Sequence, residues 1–231
     1  MVQAILFDKD GTLFDFAATW EAWAASFLLR VSDGDHARAS KVGHAIGFDL
    51  HARRFAPDSV AIAGTPGEVA DALMPHFPGA EVDRFLDMIN EEAETAPQAE
   101  AVPLAPLLDG LKTRGLALGV MTNDAEAVAH THLSQSGVRD RFDFIAGFDS
   151  GFGAKPSPDP LLAFCKTVDV PPAQAVMVGD STHDLIAGRH ASMRTVGVLT
   201  GMADADTLAP FADVVLPDIG HLPDWLDRAE H

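Results

Sequence analysis

Five short apolar runs in the second half of the chain, separated by stretches of helical character, constrain its fold more than any other feature. They are "LALGVMT", "FDFIAGF", "AVMVGD", "TVGVLT" and "ADVVLP". Their central residues are continuously apolar rather than alternating, the pattern of a strand covered on both faces. Helices between such strands make crossover connections in a parallel sheet. "AILFD", Ala4 to Asp8, has the same character and is expected to join them. The expected fold is α/β, a doubly wound and mostly parallel sheet.

Between about Phe16 and Pro97 the pattern changes to Ala, Trp, Phe and helical spacing, with no convincing buried strand. Phe16, Trp20, Trp23 and Phe27 recur at i, i+3, i+4 intervals and form one apolar face, read as a packing stripe. "TPGE" offers Thr65 as an N-cap, Pro66 at the first helical position and Glu68 for a capping box. "DRFLDMINEEAETAP" supplies another helix, and "QAEAVPLAP" reads as the linker back to the sheet. The division expected is a sheet domain from residues 1–15 and 98–231, and a helical insert over 16–97.

Composition narrows the partners. With 34 acidic residues against 16 basic, the formal net charge of -18 repels nucleic-acid phosphates and anionic membrane surfaces, so neither partner is expected. A small phosphorylated ligand would need a local cation or a ring of backbone N–H groups. Cys165 is the one cysteine, which rules out an internal disulfide and fits a cytoplasmic location. The first apolar run stops at Asp8, unlike a signal peptide, and none approaches the ~20 apolar residues of a spanning helix. A monomer and a homodimer are both compatible with the sequence.

Four stretches carry chemistry. In "FDKDGTLFD", alternation along an extended backbone puts Asp8 and Asp10 on one side and turns Lys9 away. The bland reading is a strand, an Asp-Gly turn and a second strand "TLF". "LGVMTND" ends its run with Thr122 and Asn123, which suit an anion site or a helix cap. "GFGAKPSPDP" presents Lys155 in a Gly- and Pro-rich loop, and "AVMVGDSTHD" places Asp180 and Asp184 around an expected helix start near Ser181. Ligands in parallel sheets bind beyond the carboxyl ends of strands, where most of these residues fall. Four carboxylates in one cleft call for a hard divalent cation, and magnesium is the natural choice.

Taken in order, these motifs resemble the haloacid dehalogenase (HAD) superfamily, specifically its phosphatases with a helical cap inserted after the first motif. "DKDGT" is similar to its nucleophile motif, Thr122 to its second, Lys155 in "KPSP" to its third and "GDSTHD" to its acidic fourth. The resemblance implies a Rossmann-like core and a cap. It implies that Asp8 attacks phosphorus and that Asp10 protonates the leaving oxygen and later activates water. It further implies that Mg2+ is held by Asp8, the Asp10 main-chain carbonyl and Asp180 with support from Asp184, and that Gly11, Thr122, Asn123 and Lys155 bind phosphate. Adjacent like charges push the pKa values of such a pair apart.

"FDKDGTLFD" with a cap of this size looks like the phosphoglycolate phosphatase-like group, whose substrates are small phosphorylated metabolites. The alternatives are a sugar-phosphate mutase of the same superfamily and, outside enzymes, a phospho-accepting or phosphate-binding signalling protein. Lys41, His44, His51, Arg53 and Arg54 of the insert are read as solvated charges.

Overall fold

The computed structural model describes residues 1–229; the last two residues of the range expected for the sheet domain lie outside it. In chain order the elements are β1 (Ala4–Phe7), α1 (Phe16–Val31), α2 (His36–Gly43), β2 (Phe48–Asp49), β3 (Arg54–Phe55), α3 (Pro66–Leu73) and α4 (Val82–Glu94). They continue with α5 (Leu104–Thr113), β4 (Ala117–Met121), α6 (Glu126–Gln135), β5 (Phe144–Ala146), α7 (Asp159–Thr167) and β6 (Ala175–Gly179). The last are α8 (Thr182–His190), β7 (Arg194–Val198), α9 (Ala205–Leu208), β8 (Val214–Leu216) and α10 (Leu222–Ala229). Two compact units result, Met1–Phe16 with Ala99–His231, and Ala17–Gln98.

The first unit is built on a six-stranded sheet in the order β5-β4-β1-β6-β7-β8, every pairing parallel. All four side chains of β1 are buried, because alternate residues face opposite layers. Ile5 and Phe7 join Val120 and Val178 in a core closed by Leu104, Leu108 and Leu111 of α5 and Leu222 and Leu226 of α10. Ala4 and Leu6 pack on the other side with Leu161 and Phe164 of α7 and Ala187 of α8. This doubly wound arrangement is what the continuous apolar runs predict.

Chain order reverses beside β1: the chain moves out through β4 to β5 on one side, then returns to β6 and leaves through β7 and β8 on the other. The carboxyl ends of β1, β4 and β6 therefore open side by side at the switch point, where α/β sheets hold their ligands. After β1 the chain does not form the second strand "TLF". Gly11 N–H donates to Phe14 O at 2.7 Å and Leu13 N–H to Lys9 O at 2.9 Å, a tight turn that leaves only isolated bridges at Phe14.

The second unit is mainly helical. The aromatic stripe of α1 packs as expected: Trp23 stacks on Phe27 at 5.2 Å, Phe27 meets Phe85 of α4 edge-on at 5.5 Å, and Trp23 Nε1 donates to Ile89 O at 3.2 Å. Thr65 and Glu68 form the capping box that opens α3. The expectation of no strand in this region is corrected by the small antiparallel pair β2–β3, whose buried Phe48 and Phe55 contact each other. Lys41, His44, His51, Arg53 and Arg54 are all exposed. The linker is shorter than "QAEAVPLAP", since α5 already begins at Leu104, whose N–H donates to Glu100. Among the described residues no helix is long and apolar enough to cross a membrane.

Phe164 is fully buried beneath the sheet, and a Cβ added at Gly119 of β4 would lie 2.7 Å from its ring. Phe164→Ala is expected to lower the unfolding free energy by about 3–5 kcal/mol in urea titrations. Leu162→Ala, on the exposed side of the same helix, should change it by under about 0.5 kcal/mol. Equal effects of the two substitutions would contradict this packing.

Candidate active site

Three carboxylates meet where β1 and β6 end. Asp8 follows β1 directly, its N–H donating to Val178 O of β6 at 2.8 Å, and Asp180 follows β6. Asp184 stands in the first turn of α8, which Ser181 caps: the Ser181 hydroxyl donates to Asp184 Oδ2 at 2.6 Å and accepts from the Asp184 N–H. One oxygen from each of Asp8, Asp180 and Asp184 lies within 4.8 Å of the others. All three residues are buried.

Lys155 bridges this group. Its Nζ lies 2.6 Å from Asp8 Oδ1 and 2.5 Å from Asp184 Oδ1, with the side chain only 3% exposed. Asn123 positions it from the end of β4: its Oδ1 accepts the Lys155 N–H at 2.8 Å and its Nδ2 donates to Lys155 O at 2.9 Å. The Asn123 amide thus places the lysine, a task distinct from the phosphate contact expected of it. Thr122 Oγ1 accepts from the Asp124 N–H at 3.1 Å, and the N-terminus of α6 is served by Asp149, so neither Thr122 nor Asn123 is that helix's cap.

Gly11 and Gly201 make room for Asp180. A Cβ at Gly11, which has φ +80, would lie 2.4 Å from Asp180 Oδ2, and one at Gly201 would lie 1.7 Å from the same atom. Gly201 was not legible as a site residue, because only the fold brings it to the carboxylate. Thr200, its neighbour, donates from Oγ1 to Gly11 O at 2.6 Å and ties this loop to the turn after β1.

Lys9 corrects the sequence reading most. β1 ends at Phe7, so alternation no longer governs the next residues, and Lys9 turns inward to become fully buried. Its ammonium lies 2.8 Å from Asp10 Oδ2, 3.2 Å from Asp124 Oδ2 and 2.9 Å from His132 Nδ1. Asp8 and Asp10 therefore face separate lysines, and the Asp10 carboxylate stands outside the Asp8, Asp180 and Asp184 cluster. Asp10 Oδ1 is buried without a hydrogen-bond partner. Asp124 and His132 were missed for the same reason as Lys9; an ammonium inside an apolar core demands such partners, and its burial was the missing premise.

Electrostatics follow from crowding. Burial pushes Asp8 up to about 7; Lys155 pulls against this and Asp184 adds to it. Burial, then Asp8 and Asp184, hold Asp180 well above the ordinary carboxylate range. Burial works against the charge on Lys155, but Asp184 and Asp8 outweigh it and raise its pKa. For Lys9 burial is likewise outweighed by Asp10 and Asp124, while burial pushes Asp124 up to about 6 against Lys9. Once ionised, three buried carboxylates beside the single Lys155 ammonium would carry excess negative charge, and an all-oxygen donor set of this kind fits a hard divalent cation.

A parallel α/β sheet with an acidic triad and a bridging lysine at its switch point is built to hold a ligand beyond the strand ends. The haloacid dehalogenase-like hydrolase model matches residues 5–198. The chain belongs to that family. It is 33% identical to a phosphoglycolate phosphatase of Neisseria meningitidis over 99% of this chain and 94% of that protein. It is 30% identical to an N-acetylmuramic acid 6-phosphate phosphatase of Pseudomonas aeruginosa, covering 99% and 96%. Among solved structures, one described as a predicted phosphoglycolate phosphatase from Haemophilus somnus superposes with a TM-score of 0.73 at 21% identity, over 97% of this chain and 98% of that one.

The Asp8 shift has a testable sign. Its folded pKa of about 7 exceeds the ordinary 3.8, so between these values the folded state holds a proton that the unfolded chain has released. Its contribution to stability is complete at low pH and is lost as pH rises through this window. In chelator, the melting temperature is expected to rise from about pH 8 to about pH 6. A saturating divalent cation should flatten that rise. A chelated protein whose melting temperature does not respond to pH would contradict the account.

Proposed function

We propose that the protein is a magnesium-dependent phosphatase of small phosphorylated metabolites that works through an aspartyl-phosphate on Asp8. The phosphatase class follows from membership of the hydrolase family and from relatives named as phosphatases at 30% identity or more over nearly the whole chain. The observation that carries the mechanism is the Lys155 bridge, which holds Asp8 and Asp184 together in a buried site at the ends of β1 and β6.

Lys155 offsets the charge of Asp8 and supplies a fixed cation for the incoming phosphate. An Asp8 oxygen attacks phosphorus, forming an O–P bond as the ester P–O bond breaks. Asp10 gives its proton to the leaving oxygen. Asp10, now a carboxylate, takes a proton from water as that water attacks the phosphorus of the aspartyl-phosphate; inorganic phosphate leaves and Asp8 returns to its carboxylate form. Thr122, beside Asn123 and Lys155 at the end of β4, and Gly11, in the turn after Asp10, form the phosphate side of the site.

Asp8 and Asp180, with Asp184 behind them, would hold the magnesium ion. When bound, it supplies positive charge that reduces repulsion between the carboxylates and the phosphate. The helical unit is taken as the family's cap. Substrates named for the relatives, phosphoglycolate and N-acetylmuramic acid 6-phosphate, set the chemical range: a compact organic phosphomonoester. The net charge of -18 and the single cysteine suit a small-molecule enzyme of the cytoplasm better than a nucleic-acid or membrane protein.

Purified protein is expected to hydrolyse p-nitrophenyl phosphate with Mg2+ and to stop in chelator. Asp8→Asn should lower kcat by at least about 10³-fold, the scale of losing a covalent nucleophile. Activity that survives Asp8→Asn would sink this mechanism. Isomerisation of a sugar phosphate without phosphate release would favour the mutase instead.

A further inference from the structure

The Lys9 ammonium has three close neighbours on two segments of the chain: ion pairs with Asp10 and Asp124, and a hydrogen bond to His132. Asp10 lies in the turn after β1, while Asp124 and His132 come from the loop after β4 and from α6. An ammonium can only donate, so His132 Nδ1 accepts. Lys9 itself is 0% exposed, and the Asp124 and Asp10 side chains are 3% and 11% exposed. Placing a charge there is costly unless the geometry is well matched, and removing one partner leaves the others unpaired.

The two Asp10 oxygens are treated unequally. Oδ2 is held by Lys9 at 2.8 Å, while Oδ1 is buried with no hydrogen-bond partner. A carboxylate gripped at one oxygen has its rotation about the last side-chain bond restricted, and the free oxygen has a fixed direction. That is the requirement for passing a proton at a defined place, since such transfers need a donor held within hydrogen-bond reach.

We propose that Lys9 is the positioning residue of the acid/base Asp10: it holds Oδ2, is itself anchored by Asp124 and His132, and leaves Oδ1 to exchange the proton. This rests on the phosphatase reading above, in which Asp10 protonates the leaving oxygen. Lys9 touches neither substrate nor phosphorus in this role. It acts through Asp10, and links the loop that carries the nucleophile to the loop that carries Thr122 and Asn123.

A misplaced acid matters in proportion to how much the leaving group needs its proton. Lys9→Met is therefore expected to lower kcat/KM by about 10²-fold on an alkyl phosphate, within the range of general acid catalysis. On p-nitrophenyl phosphate, whose leaving group departs without help, the loss should be under about 3-fold by the same reasoning. Because Lys9→Met leaves Asp10 and Asp124 without their cation, Lys9→Met with Asp124→Asn is the second test. It reduces the unpaired charge, and should fold and keep the same leaving-group defect.

Circular dichroism melts confirm that each variant is folded before rates are compared. Equal losses on both substrates, or no loss on the alkyl phosphate, would overturn the positioning role of Lys9 while leaving the phosphatase reading intact. Wild-type protein that turned over neither ester would overturn both.

Discussion

The Lys155 ammonium between Asp8 and Asp184 is the contact on which the rest of the site depends. Burial and neighbouring carboxylates raise the pKa values of Asp8 and Asp180, and a nucleophile must be ionised to attack. A cation at 2.6 Å from Asp8 and 2.5 Å from Asp184 opposes that pressure. The parallel sheet makes the convergence possible by bringing the ends of β1, β4 and β6 together. Asn123 fixes the Lys155 backbone from both sides, and Gly11 and Gly201 let Asp180 approach where a side chain would collide with it.

A second lysine divides the chemistry. Asp8 and Asp10 are two residues apart, yet each carboxylate has its own ammonium, Lys155 for one and Lys9 for the other. The division suits two roles. One carboxylate belongs to the acidic cluster at the strand ends, and the other is held apart from it with one oxygen free. Both lysines are buried, so each interaction operates with little screening by solvent and each depends on its partners being present.

Much of this was legible in the sequence. The sheet strands were readable because a strand buried on both faces leaves an uninterrupted apolar run, and the caps at Thr65 and Ser181 because capping is local chemistry. The proximity of Asp8 and Asp180 could be inferred from strand-end positions and that of Asp184 from the helix start that follows, whereas Lys155, in a loop, was placed with them by the family resemblance. Lys9 could not be placed, because alternation was carried through Asp10, three residues beyond Phe7, where the strand stops. Gly201, Asp124 and His132 owe their places to contacts between distant segments, and β2 and β3 are two-residue strands too short to impose a period.

The central claim, that Asp8 takes the phosphoryl group and Asp10 then activates water, is tested most directly by trapping the intermediate. In Asp10→Asn supplied with an aryl phosphate, attack by Asp8 remains possible but water is no longer activated. Acid quenching followed by peptide mass mapping is predicted to find phosphate on the peptide bearing Asp8, labile to hydroxylamine as an acyl phosphate is. Phosphate on another residue, or hydrolysis by Asp10→Asn at the wild-type rate with no phosphorylated peptide at any time, would contradict the account.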